Sequence, residues 1–127
     1  DAALNKGEIR LEGGGAQIRP FVHVDNAVDS IVATLSAGHY RPAEVGGRAC
    51  NVVMDHDSIG GLAARCVGAA VTLGRQGCRL IVTEPRTAEG GHVRMVRSGG
   101  GMIWLRPWVT LADGIPATAR AMLEARA

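Results

Sequence analysis

The stretch that decides the fold is Gly13-Gly14-Gly15-Ala16-Gln17-Ile18-Arg19-Pro20-Phe21-Val22-His23-Val24-Asp25-Asn26-Ala27, where a glycine run leads into a strand and the strand into a helix. Gln17 to His23 reads as a short strand, and Glu8 to Leu11 before the glycines as another. The flexible triplet between them predicts a hairpin connection. After His23 the period changes. Ala27, Val28, Ile31, Val32 and Leu35 fall at i, i+1, i+4, i+5 and i+8, one stripe of a helix, with Asp25 or Asn26 placed to cap it and Gly38 to stop it.

Outward from this segment the alternation of strand and helix continues. His39 to Arg48 holds Pro42 and Gly46-Gly47 and reads as a loop, and Ala49 to Val53 as a short buried strand. Ile59, Leu62, Ala63, Cys66, Val67, Ala70 and Val71 form a second amphipathic stripe, capped by Asp57 or Ser58. Gly60 and Gly61 in its first turn weaken it by roughly 1 kcal/mol each relative to Ala. Cys78 to Thr83 and Val93 to Val96 are further strand regions. A last helix carries Leu111, Ile115, Ala119, Met122 and Leu123, capped by Thr110 or Asp113. Pro116 is tolerated only in a first turn, which favours a start at Gly114. The expectation is an α/β, α+β-like fragment of short strands and about three helices, filling residues 1–127 as one unit.

Composition narrows the function classes. With 127 residues, 46% of them hydrophobic and 20% charged, the chain suits one globular unit and is short for a cofactor enzyme with its own substrate lobe. A net charge of +2 and four aromatic residues argue against nucleic acid. No run approaches the roughly 18 apolar residues of a membrane helix, and no secretory signal is present, so a cytoplasmic protein is expected. Cys50, Cys66 and Cys78 lack Cys-x-x-Cys spacing and read as buried free thiols. The chain opens at Asp1 rather than Met, as a processed product or a piece of a longer polypeptide would.

Three kinds of chemistry were sought in the residues. A dinucleotide turn needs Gly-x-Gly-x-x-Gly, but Gly13 and Gly15 are followed by Ile18, Gly99 and Gly101 by Trp104, and the looser Gly74, Gly77 spacing by Leu80. A Tyr-Lys acid–base pair fails because the sole Tyr40 has Glu44 at its partner position and the sole lysine is Lys6. Asp55-His56-Asp57 bunches three metal-ligand types, yet adjacent residues rarely share one ion, and a turn before a helix is where capping aspartates belong. His23 reads as a packed or hydrogen-bonded strand residue. A hydrolase using His23 or the Asp55-His56-Asp57 cluster is the weakest reading. No catalytic, metal or cofactor-binding residue is assigned.

The segment Arg19 to Ala27, with the glycines before it, closely resembles a landmark of the NAD-dependent epimerase/dehydratase branch of the extended short-chain dehydrogenase superfamily. Cys50-Asn51-Val52-Val53 resembles that family's Asn-Val-Gly strand, Asp57-Ser58-Ile59 with Leu62-Ala63 its next helix start, and Trp104-Leu105-Arg106-Pro107 and Leu111-Ala112-Asp113-Gly114-Ile115 its later turn and helix. The resemblance spans about residues 8 to 120. It departs where the family has Asp and this chain Asn26, where Val53 replaces Gly, at Arg97 to Gly101, and at Met102-Ile103.

The resemblance implies the C-terminal, substrate-side portion of a sugar-nucleotide epimerase or dehydratase whose N-terminal Rossmann core is absent. NAD or NADP would bind the complete enzyme and not this chain alone. Arg19 would contact the diphosphate of a nucleotide sugar or another anionic small molecule, with Arg86 or Arg94 doing similar work. Partners would be the missing Rossmann half, another chain, or a second copy in a homodimer. The alternative is a non-enzymatic, truncated binding or interaction domain.

Overall fold

The computed structural model describes residues 1–36, 52, 55–84 and 109–125. Eight elements follow one another: α1 (Ala2–Asn5), β1 (Glu8–Leu11), β2 (Ile18–Phe21), α2 (Val24–Ser36), β3 (Asp55–Ser58), α3 (Ile59–Thr72), β4 (Arg79–Val82) and α4 (Leu111–Glu124). The mixed α/β class is as expected, with the single turn of α1 an addition to the three helices foreseen. The strands expected at Ala49 to Val53 and Val93 to Val96 lie outside the described residues, apart from Val52, which is in no strand.

The strands pair otherwise than the glycine run suggested. β1 runs parallel to β4, Glu8 opposite Arg79 and Leu11 opposite Val82. β2 runs antiparallel to β3, Ile18 opposite Ser58 and Phe21 opposite Asp55. The expected β1–β2 hairpin is therefore not formed; the two strands belong to different two-stranded sheets. The cause is the backbone of the triplet. Gly13, Gly14 and Gly15 all have positive φ, at 82°, 74° and 71°, which turns the chain away from β1 instead of folding it back. The Gly14 N–H donates to the Thr83 carbonyl at 3.1 Å, and Gly60 donates to the Gly15 carbonyl at 2.8 Å. The corner is thus pinned to the end of β4 on one side and the start of α3 on the other.

That contact also explains the helix-weakening glycines of α3. A Cβ on Gly15 would lie 2.8 Å from Leu11 Cδ1 and 3.0 Å from the Gly60 nitrogen, and one on Gly61 would meet the Asp57 carboxylate. Local helix propensity yields there to close backbone approach. Ser58 caps the helix as one of the two residues expected, its Oγ accepting from the Gly61 N–H at 2.8 Å.

Two other helix starts differ from the expectation. α2 begins at Val24, and the His23 carbonyl accepts the first helical bond, from Ala27, at 3.1 Å. Neither Asp25 nor Asn26 caps it. Asn26 reaches instead across to Val109. α4 begins at Leu111 and not at Gly114, because Thr110 forms its cap one turn earlier: the Thr110 Oγ1 accepts from the Asp113 N–H and donates to the Asp113 carboxylate at 2.7 Å. Pro116 therefore sits in the second turn, where it leaves the Ala112 carbonyl without its helical donor.

The core is small-grained. Ala3, Leu4 and Ala70 are its centre, with Ile9, Cys78, Ala119, Met122 and Leu123 packed on them. α3 touches α1, α4, β1, β3 and β4, and its buried alanines Ala63, Ala69 and Ala70 allow that crowding. Cys66 and Cys78 are free thiols, half-buried and not fully buried as expected. Among the described residues no helix is long and apolar enough to cross a membrane.

Candidate functional site

Arg19 lies in the middle of β2, directly opposite Asp57 of β3. Its half-buried guanidinium donates to the Ile18 carbonyl at 3.2 Å and to Gln17 Oε1 at 3.1 Å. These bonds fold the side chain back along its own strand and orient the fork. The carboxylate across the ladder is committed elsewhere: Asp57 accepts from its neighbour's backbone at Ser58 and from Arg65 Nε, at 2.8 and 2.9 Å. Arg86 and Arg94 lie outside the described residues, as does Tyr40.

Asp55, His56 and Asp57 form β3 and not the turn expected of them. Strand alternation sends His56 to the face opposite Asp55 and Asp57. Asp55 accepts from the Leu111 N–H at 3.3 Å and so ties β3 to the first residue of α4. Three ligands at a common point are not offered by this segment, and among the described residues no group of three such side chains gathers elsewhere.

His23 follows β2 by two residues and turns its ring onto α4. A Cβ on Gly114 would lie 2.6 Å from His23 Cδ2, so the imidazole packs close against the bare helix backbone. Its Nδ1 accepts from the Asp25 N–H at 3.3 Å and stands 3.6 Å from the Asp25 carboxylate.

Beside His23 opens an apolar cleft of about 380 Å3 between β2, α1 and α4, walled by Leu4, Phe21, Leu111, Ile115 and Met122. The reading of the sequence missed it. The α4 stripe of Leu111, Ile115, Ala119 and Met122 was visible, but a stripe does not say whether it meets core or open space. Cys66 borders the cleft, and burial pushes its thiol pKa up, with the nearby chain-terminal ammonium acting weakly against it. A thiol so held is a poor nucleophile. The cleft can bind an apolar surface.

The glycine corner does not fit a dinucleotide cradle. A cradle needs a glycine turn that opens a helix and free N–H groups to meet phosphate. Here the turn opens β2, and the N–H groups of Gly13, Gly14 and Gly60 are taken by Thr83 and Gly15.

Two short sheets, a glycine corner and packed helices on this topology recur as one part of a larger α/β fold seen in solved structures. One solved structure it is similar to is TunA, an NAD-dependent NDP-hexosamine 5,6-dehydratase involved in tunicamycin biosynthesis, with a TM-score of 0.67 and 20% sequence identity over 97% of this chain. This chain spans 38% of TunA's length. No family model and no curated protein matches the sequence. The fold implied by the Arg19 to Ala27 resemblance is thus the one found.

Proposed function

We propose that this chain is the C-terminal, substrate-side portion of an NAD(P)-dependent sugar-nucleotide epimerase or dehydratase, working together with a dinucleotide-binding half. The observation that carries the reading is the fold likeness to TunA, extending over 97% of this chain and confined to 38% of the other. The absence of a phosphate cradle at Gly13–Gly15 agrees with it, since NAD or NADP would belong to the other half. In this reading Arg19 grips the anionic end of a nucleotide sugar. Its fork is held by Gln17 and the Ile18 carbonyl, so less freedom is lost when an oxyanion docks. Arg86 or Arg94 supplies a second cation. The residues of this chain bind and orient, and the reacting groups come from elsewhere.

The dinucleotide-binding half has a seat available on α2. Val24, Val28, Ile31, Val32 and Leu35 are 45% to 80% exposed along one stripe. Contiguous apolar surface of this kind marks an interface. The test is titration of the joined enzyme with a panel of nucleoside-diphosphate sugars, before and after Arg19→Ala. The expected loss is tenfold or more, the size of a charge-assisted bidentate contact of about 1.5–3 kcal/mol. Absence of binding to every sugar, or an unchanged affinity in the variant, overturns the reading.

The same α2 stripe favours a second reading, a non-enzymatic interaction domain that pairs with another chain or a second copy. Sedimentation separates the two. A compact monomer that binds no partner protein speaks against it.

A further inference from the structure

The N-terminal ends of the parallel strands β1 and β4 meet the C-terminal ends of α1 and α3 around a polar hollow of about 310 Å3. Three cations from separate elements line it: Lys6 closing α1, Arg75 in the turn after α3, and Arg79 opening β4. Glu8 is the one carboxylate among the lining residues. It is already committed, to Arg10 Nε at 2.9 Å and to Arg79 Nη2 at 3.4 Å. These bonds, Arg10's first, hold its carboxyl below the usual carboxylate range, so it stays ionised and paired. Three cations less one carboxylate leave in this hollow as large a positive excess as the +2 of the whole chain.

Helix ends alone do not account for the convergence. The terminal carbonyls of α3 are answered by backbone, Ala69 by Leu73, Ala70 by Arg75 and Val71 by Gly74, at 2.9 to 3.1 Å. The side chains of Lys6 and Arg75 have no hydrogen bond or ion pair to any described residue. Like charges brought together from three elements repel, and that cost is relieved by an anion between them. Gly7 and Gly77 line the same hollow with φ of 68° and 83°, and nothing lies within 4 Å of where a Cβ on either would stand. Bare backbone there lets a ligand come close.

We propose that this hollow is a second anion site, taking a phosphate or diphosphate group in the grip of Lys6, Arg75 and Arg79. It is separate from Arg19. β2 meets α3 at its N-terminal end, through the Ile18–Ser58 pair, while the hollow lies at its C-terminal end, about 21 Å away along 14 residues of helix. The site therefore stands or falls independently of the substrate reading.

The experiment follows backbone amides of the full chain by NMR at low ionic strength, with inorganic phosphate, pyrophosphate and ADP as probes and sodium chloride as the ionic control. Saturable shifts at Gly7, Gln76 and Gly77 are expected, unchanged in Arg19→Ala and weakened at least tenfold in the Lys6→Gln/Arg75→Gln double variant. Both replaced residues are exposed, and an unaltered circular dichroism spectrum verifies folding. If inorganic phosphate saturates the site as well as ADP does, the ligand is free phosphate; tighter ADP binding assigns a nucleotide's phosphates. Shifts no larger than those from chloride, or equal affinity in the double variant, overturn the proposal. Perturbations confined to the β2 region and abolished by Arg19→Ala also overturn it, while supporting the substrate reading.

Discussion

Helices α2 and α3 carry equally plain amphipathic stripes and meet different fates. α3 is wedged among α1, α4 and three strands, and its stripe contributes the buried Ala63 and Ala70. The α2 stripe lies open, with Val24 65%, Ile31 59% and Leu35 80% exposed. Its best-defined anchor is polar: the buried Asn26 amide donates to the Val109 carbonyl at 2.8 Å and accepts from the Val109 N–H at 3.0 Å. A helical period states which face seeks burial. It does not name the surface that supplies it.

The contrast is broken most directly by paired truncations. Leu4→Ala, in the core under α3, is expected to lose about 2–5 kcal/mol in denaturant unfolding. Leu35→Ser on α2 is expected to change the stability of the chain alone by less than about 0.5 kcal/mol, yet, on the proposed function, to weaken association with a dinucleotide-binding half. A large destabilisation by Leu35→Ser in the chain alone would mean that α2 is already covered.

Asn26→Asp probes the anchor and has a smaller expected effect. A carboxylate can accept from the Val109 N–H but cannot donate to its carbonyl, so the buried acceptor is left without its partner at a cost of about 1–3 kcal/mol. Unfolding midpoints at neutral pH measure this, and Asn26→Asp should recover part of the loss when the solution is acidified enough to protonate the new carboxyl. Equal stability of both chains at every pH would show that the latch does not hold α2.

The smallest effect concerns Cys66, on the α3 face bordering the cleft. Its folded thiol pKa is raised by burial, so its contribution to stability is present in full below the ordinary thiol pKa and is lost as pH rises through the folded value. In a Cys50→Ser/Cys78→Ser chain, the pH midpoint of alkylation should lie above that of free cysteine. A midpoint at or below the free value would mean that the cleft admits water more freely than the packing of Met122 and Leu4 allows.

How much was legible varies along the chain, for reasons visible in particular residues. β1 at Glu8–Leu11 and the Ser58 cap of α3 could be read directly, since alternation and a capping hydroxyl are local signals. β3 could not. Asp55-His56-Asp57-Ser58 has no β-branched or aromatic residue, and its polarity speaks for a turn; pairing with β2 makes it a strand. Arg19 as a candidate rests on resemblance to a family segment, while the cleft and the basic hollow were invisible in the sequence. Their residues are scattered from Leu4 to Met122 and from Lys6 to Arg79, and no short window contains either.

The sequence by itself determined the strand character of β1, β2 and β4, the stripes of α2, α3 and α4, and the lack of a dinucleotide fingerprint, because these depend on side-chain spacing over a few residues. Only the tertiary structure decided that Gly13–Gly15 turns a corner between two sheets, that Gly60 and Gly61 serve close approach to Gly15 and Asp57, and that three distant cations share one hollow. Strand partners and convergent charges are set by contacts between residues tens of positions apart, and the period of a chain carries no record of them.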